Sequence, residues 1–270
     1  MAIHPTAIVH PETDIDPTAS VGAYAVVERD VRIGPETQLY PHAYVSEGTT
    51  LGARCQIHPF AVVGHLPQDL KYEQQPSYTL VGDETIIREH ASVHRGTAPG
   101  STTVVGRRCF IMATAHVGHN CVVGDDVKIA NSGLLSGHVH VGNGTFISGN
   151  AAVHQFVRIG ALVMVGGGLR VTQDIPPFMM LGPQGVVGPN VIGLRRAGLS
   201  PEERQELRIC YHLLYRSDIP FFDAARHVVS VVKTEPGRRL AEFLQERSKR
   251  GYMPGRRRQQ RRSIVLEESP

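Results

Sequence analysis

The chain has 270 residues, enough for one long domain or a domain with a smaller extension, and a formal net charge of only +3. That charge does not demand nucleic acid as a partner, and no uninterrupted apolar run approaches the ~20 residues of a membrane span. With 28 glycines, 18 prolines and 6% aromatic residues, many turns around a core of small aliphatic side chains are expected.

The start, MAIHPTAIVHPETDID, has neither the basic nor the apolar region of a signal peptide, and the four cysteines form no CxxC pair. A cytoplasmic enzyme or binding protein is the class that remains. From Ile3 an aliphatic anchor returns at every sixth position through Val9, Ile15, Val21 and onward to Val63. The series resumes at Val81, Ile87 and Val93, then runs in step from Val105 to Val171. Four residues after each anchor the side chain is usually small. Six is no helical period; it suits a short strand followed by a bend. Glycine right after many anchors, as at Gly22, Gly34, Gly118 and Gly124, is expected to give those bends their freedom.

One such unit cannot bury its apolar side, but stacked units can. The expected fold is therefore an all-β parallel β-helix over 1–182, with about 18 residues per coil and coils ~4.8 Å apart. Cys55, Cys109 and Cys121 fall in the small inward column and read as core fillers. Two stretches, 64–80 and 96–103, lack the anchors and are expected to loop outward, where binding groups collect. After QDIPPF (173–178) the period ends. LSPEERQELRICYHLLYRS then has Ser200 as N-cap, Pro201 at the first helical position and Glu203 completing a capping box. Amphipathic pieces at 222–233 and 237–249 follow, so 183–250 is expected to be a helical C-terminal domain. Residues 251–270, with RRRQQRR at 256–262, are expected to form a flexible basic tail.

Residues 18 apart stack on neighbouring coils, so the corner holding His119 lies in line with Gly137 and Gln155. His138 sits one column to one side, His154 one column to the other, and His116 just before the same corner. Corners of a β-helix are exposed, and a polar residue at one of them need carry no function. Several of the 14 histidines on one edge point instead to a site. A metal would need three converging imidazoles at ~2.0–2.1 Å. A general base needs one imidazole beside donors for an oxyanion. His116 and His119 are not on a helix, so their spacing does not bring them together, and the base is the favoured chemistry.

The segments QDLKY (68–72), VHRGT (93–97), AHVGHNC (115–121), LLSGH (134–138), VHQF (153–156) and QDIPPF resemble the acyl-carrier-protein-dependent UDP-N-acetylglucosamine O-acyltransferases that open lipid A synthesis. The resemblance spans about residues 3–250. It implies a homotrimer of left-handed β-helices with active sites between subunits, transferring a 3-hydroxyacyl group to the sugar 3-position. It implies no metal or nucleotide cofactor. His119 matches the catalytic base and Gly137 the oxyanion N–H. Gln68, Asp69, Lys71, His116, His138, Gln155, Asn190 and Arg196 match substrate-contacting positions, and Gly167 matches an acyl-length ruler or is simply a turn glycine.

Asn120 departs from the Asp many relatives carry there; an amide can orient the imidazole but stabilises its cation less. Ile192 stands where Glu is frequent, and Ala197 where a second Arg is. The basic run at 256–262 either draws in the acidic carrier protein or is a solvated tail. Alternatives are an N-acyltransferase acting on a related UDP-amino sugar, a zinc β-helix of the γ-carbonic-anhydrase type, and a non-catalytic scaffold.

Overall fold

The computed structural model describes residues 2–255. Most strands are two residues long, one facing in and one out, and each is followed by a two-residue corner. Because each strand pairs in parallel with the one three hexads later, three flat sheets form the faces of a prism. The first sheet begins at Ala2–Ile3, the second at Ile8–Val9 and the third at Asp14–Ile15. Inside run the six-residue anchors and the small column between them. Val21, Ile57, Ile111, Val117, Leu135 and Ile147 are all at most 2% exposed. Cys55, Cys109 and Cys121 are sealed in the same core, and burial pushes the Cys121 thiol up to about 12.

The bends work differently from the expectation. The left-handed residue is the third after each anchor, and it is mostly not glycine: Tyr24, Arg54, Thr114, Asn120, His138 and Phe156 have φ between 53° and 66°. Such backbone is uncommon for side-chain-bearing residues and is held by the surrounding ladder. The glycine right after the anchor answers a closer need. A Cβ on Gly118 would lie 2.7 Å from the Leu135 carbonyl oxygen of the next coil. Crowding between coils, not turn freedom, selects glycine there.

Both excursions are shorter than expected, because Val62–His65, Tyr78–Val81 and Thr102–Val105 are strands paired to neighbouring coils. Val63 pairs with Val93, thirty residues on, and Val93 with Val117, twenty-four on, against eighteen in the coils without an excursion and sixteen in the last, where Val165 pairs with Leu181. The excursions thus add twelve and six residues, and the anchors keep their phase.

An antiparallel hairpin, Met179–Gly182 with Gly185–Pro189, extends the first sheet beyond residue 182. Helices follow: α1 (Val191–Arg196), α2 (Pro201–Arg216), α3 (Phe221–Val231) and α4 (Glu235–Gln245). Ser200 and Glu203 form the capping box of α2, with Pro201 at its start. Leu207, Cys210 and Leu214 of α2 pack in one core with Val228 of α3 and Leu240 of α4. α4 stops at Gln245 rather than 249, where Glu246 turns extended. No helix among the described residues is long and apolar enough to cross a membrane.

The helices are tied to the prism by Arg158, whose guanidinium meets the fully buried Asp174 carboxylate at 2.8 Å and Glu246 at 2.5 Å. It also lies 4.4 Å over the Phe243 ring. Residues 251–255, assigned to the tail by sequence, are instead held in place. Tyr252 bridges to Asp174 and stacks on Phe221 at 4.7 Å, and Gly255 bridges to Val186. The basic run at 256–262 and the rest of the tail lie outside the described residues.

Candidate active site

The edge between the second and third sheets carries the histidines. His116↔Leu134↔Ala152 register sets His119, Gly137 and Gln155 in line up three coils. His138 N–H donates to the His119 carbonyl at 2.9 Å, and Phe156 N–H to the Gly137 carbonyl at 3.2 Å. Beside this edge opens a cleft of about 650 Å³ lined by Gln68, Ser92, His94, His116, His119, Leu134, Gly137, His154 and Gln155, among others.

Gly137 lies directly beneath the His119 ring: a Cβ there would sit 2.3 Å from Cε1 and 2.4 Å from Nε2. Its φ is not in the left-handed region, so the absent side chain serves to make room for the imidazole rather than to allow a turn. The Gly137 N–H has no backbone acceptor among the described residues.

The tautomer of His119 follows from its neighbour. The Thr97 backbone N–H, which can only donate, meets Asn120 at 3.1 Å, and the Thr97 hydroxyl donates to the same atom at 2.9 Å. That atom is therefore the amide oxygen Oδ1. His119 Nδ1 is 3.0 Å from it and must carry the proton, which leaves Nε2 with its lone pair. Asn120 thus orients the ring, as an acidic residue would.

Three of the surrounding histidines are pushed toward the neutral form. Burial, with His116 nearby, pushes His94 down to about 4. Burial and then His119 lower His116, whose Nδ1 is 2.8 Å from the Ser92 hydroxyl. His138 is lowered by burial, His119 and Lys249; its ring meets His119 edge-on at 5.2 Å and stacks on Phe156 at 4.7 Å. Lys249 Nζ stands 5.2 Å from the Phe156 ring centre. Among the described residues no three His, Cys, Asp or Glu side chains are grouped to hold a metal ion.

Of the residues singled out by sequence, His119, Gly137, His116, Gln155 and Gln68 share this cleft, and His138 borders it through the His119 ring. Asp69 and Lys71 sit on the exposed excursion, where the Asp69 carboxylate accepts the Lys71 backbone N–H at 3.0 Å. Asn190 is elsewhere and engaged. Its Oδ1 caps α1 by accepting the Gly193 N–H, and its Nδ2 donates to the Leu162 carbonyl at 2.9 Å. Arg196 is exposed at the end of α1, and Ile192 is 65% exposed on the same helix. Gly167 follows a strand of the first sheet, so within one chain it lies on a different edge from His119. A Cβ there would meet only the Gly149 oxygen at 3.4 Å and the Ser148 Cβ at 3.8 Å, whereas Gly168 takes the left-handed turn position. Gly167 is thus not demanded by the turn.

Sequence reasoning gave no role to His94, Ser92 or Thr97. The excursions shift the eighteen-residue count before His119, and only the paired register, Val93 with Val117, recovers their place.

The profile of domain 2 of UDP N-acetylglucosamine O-acyltransferases matches residues 174–253, and that of bacterial transferase hexapeptide repeats matches 102–136. The acyl-[acyl-carrier-protein]–UDP-N-acetylglucosamine O-acyltransferase of Paraburkholderia phymatum is 41% identical over 262 residues, covering 93% of this chain and 98% of the relative. The chain belongs to this O-acyltransferase family. The enzyme of that name from Myxococcus xanthus is 42% identical over 92% of this chain and 98% of its own. The crystal structure of the Francisella novicida UDP-N-acetylglucosamine acyltransferase superposes with a TM-score of 0.90 at 30% identity, covering 99% of this chain and 100% of that one. The Bacteroides fragilis enzyme gives 0.89 at 34% identity, covering 92% and 98%. The prism is accordingly a left-handed parallel β-helix, as the resemblance implied.

Proposed function

We infer that this chain transfers a 3-hydroxyacyl group from acyl carrier protein to the 3-position of UDP-N-acetylglucosamine, the opening step of lipid A biosynthesis. The observation that carries the reading is His119, with Nδ1 held protonated by Asn120 and Nε2 bare above Gly137. Nε2 takes the proton of the sugar hydroxyl as its oxygen attacks the thioester carbonyl. The Gly137 N–H meets the oxyanion of the tetrahedral intermediate, which collapses to the ester. The departing carrier thiolate recovers the proton from the imidazolium. A base of this kind is worth roughly 10²–10⁴-fold, and positioning and the oxyanion contact supply the rest.

His116, His138, Gln155 and Gln68 contact the acceptor, and Asp69 and Lys71 close over it from the excursion. Asn190 acts by fixing α1, so that Arg196 is presented to the nucleotide; Gly167 sets the acyl length. These last residues lie off the His119 edge, so the site is completed by neighbouring chains in a homotrimer. Supporting this, the outward row of the first sheet runs Ile86, Phe110, Lys128, Phe146 and Met164, apolar at four positions of five and interrupted by one exposed lysine. The enzyme works in the cytoplasm.

The test is acyl transfer from a set of 3-hydroxyacyl carrier proteins to UDP-N-acetylglucosamine and to its 3-amino analogue. Wild type is measured beside His119→Ala, for which at least a ~100-fold loss is expected. A folded wild type that transfers nothing to either sugar would refute the acceptor.

A further inference from the structure

We propose that Thr97 is a positioning residue for the reaction, fixing the Asn120 amide so that His119 presents its bare Nε2 to the acceptor. This rests on the reading of His119 as the base.

An amide, unlike a carboxylate, has two different ends. Rotated by half a turn, Asn120 would offer Nδ2–H₂ to His119 Nδ1, which would then have to accept. The proton would move to Nε2, and the ring would be unable to take one from a hydroxyl. Nothing in Asn120 itself selects between the two orientations. Its backbone is pinned, with φ at 58° and its N–H donating to the buried Thr103 hydroxyl at 2.7 Å, but this leaves the end of the side chain free to turn. Thr97 makes the selection. Its backbone N–H and its hydroxyl converge on Oδ1; the rotated amide would set Nδ2–H₂ against the N–H, which can only donate, and would cost the hydroxyl the bond it now donates.

Thr97 is itself held by the loop around it. A Cβ on the preceding Gly96 would collide with the Ser101 carbonyl oxygen at 2.6 Å, so this bend is closed tightly. The Gln75 amide of the longer excursion donates to the Thr97 carbonyl. Gln68 of the same excursion lines the cleft. The two outward loops therefore meet at Thr97, one hydrogen bond from Asn120 and two from the imidazole.

The chemistry supplies its own control. In an Asn120→Asp background both side-chain ends are oxygens, no orientation is wrong, and Thr97 loses its task. Four proteins are compared: wild type, Thr97→Val, Asn120→Asp and the double variant, with Thr97→Ser as the conservative rescue. Two readouts are taken, kcat and KM for acyl transfer and the ¹⁵N chemical shifts of the His119 ring, which report the tautomer without substrate.

Thr97→Val is expected to lower kcat about tenfold with KM little changed and to populate the Nε2–H tautomer, while Thr97→Ser stays within about twofold of wild type. In the Asn120→Asp background the Thr97→Val change is expected to cost less than about twofold and leave the tautomer at Nδ1–H. An equal loss in both backgrounds would mean that Thr97 only packs the loop, and the proposal would fall. So would an unchanged tautomer in Thr97→Val. Should wild type transfer no acyl group while its tautomer still responds as described, the functional reading fails and the positioning role stands.

Discussion

Replacing Gly137 with alanine adds one methyl group at the place where the His119 ring now lies. The new Cβ would be 2.3 Å from Cε1 and 2.4 Å from Nε2, more than 1 Å inside ordinary contact, so the imidazole must leave its position. Its three nearest neighbours, out to 2.9 Å, are all atoms of that one side chain, which can turn away. The φ of Gly137 is outside the left-handed region, so alanine meets no strain there. Thermal stability should therefore change little, while the base is moved from the acceptor oxygen. The loss expected is that of the general base, about 10²–10⁴-fold in kcat, or roughly 3–5 kcal/mol of transition-state stabilisation. The Gly137 N–H survives the change, so the oxyanion contact is not what is removed. Steady-state acyl transfer and a melting curve on the same preparation make the measurement. A folded Gly137→Ala protein with wild-type kcat would refute the placement of the base above Gly137.

Three further outcomes are expected. His94 is pushed from 6.5 to about 4 by burial, so between those values the unfolded chain binds a proton that the folded chain refuses. Stability is then complete above pH 6.5 and falls as the pH drops toward 4, by at most ~3 kcal/mol from this residue. Urea midpoints at pH 7.5, 6 and 4.5 should show the decline, and His94→Gln should flatten it. Arg158→Met leaves the fully buried Asp174 carboxylate without its cation and should cost about 3–5 kcal/mol in denaturant titrations. The Arg158→Met/Asp174→Asn double variant, which keeps a neutral acceptor for the backbone N–H of residue 158, should recover part of that; no recovery would argue against the ion pair as the cause. Gly167→Met, whose Cβ would make only ordinary contacts, should leave stability unchanged and shift acyl preference to shorter chains; an unaltered chain-length profile would remove Gly167 from the acyl site.

Much of this molecule was legible because the hexad is a strict code. An aliphatic residue at every sixth position fixes which side chains enter the core, and counting by eighteen placed His119, Gly137 and Gln155 on one edge without coordinates. What the count missed has physical causes. The reason for glycine at Gly118 is the approach of the next coil, a long-range contact with no local sign. The left-handed corner falls on Tyr24, Asn120 or Phe156 alike, so composition does not mark it. His94 precedes an excursion and Thr97 lies within it, so their distance to His119 along the chain no longer reports their distance in space. Tyr252 reads as part of a basic tail, yet a half-buried ring among Phe221, Phe222 and Phe243 holds it. The run of strand after residue 182 is a hairpin whose partner is the last coil, a pairing that no periodicity announces.

The two excursions add twelve and six residues, whole hexads in both cases. Alternation of inward and outward faces admits only even changes of length, and whole hexads alone also return the chain to the same corner; the last coil, where Val165 pairs with Leu181 sixteen residues on, is two shorter and ends the column. One extra residue would turn every later anchor outward and carry His119 off the edge it shares with Gly137. Length in this fold is therefore quantised: loops can be lent, lengthened or exchanged between coils in units of six while the site downstream keeps its bearing. The outward loops are free to follow the substrate because the prism, like a gear, transmits only whole teeth.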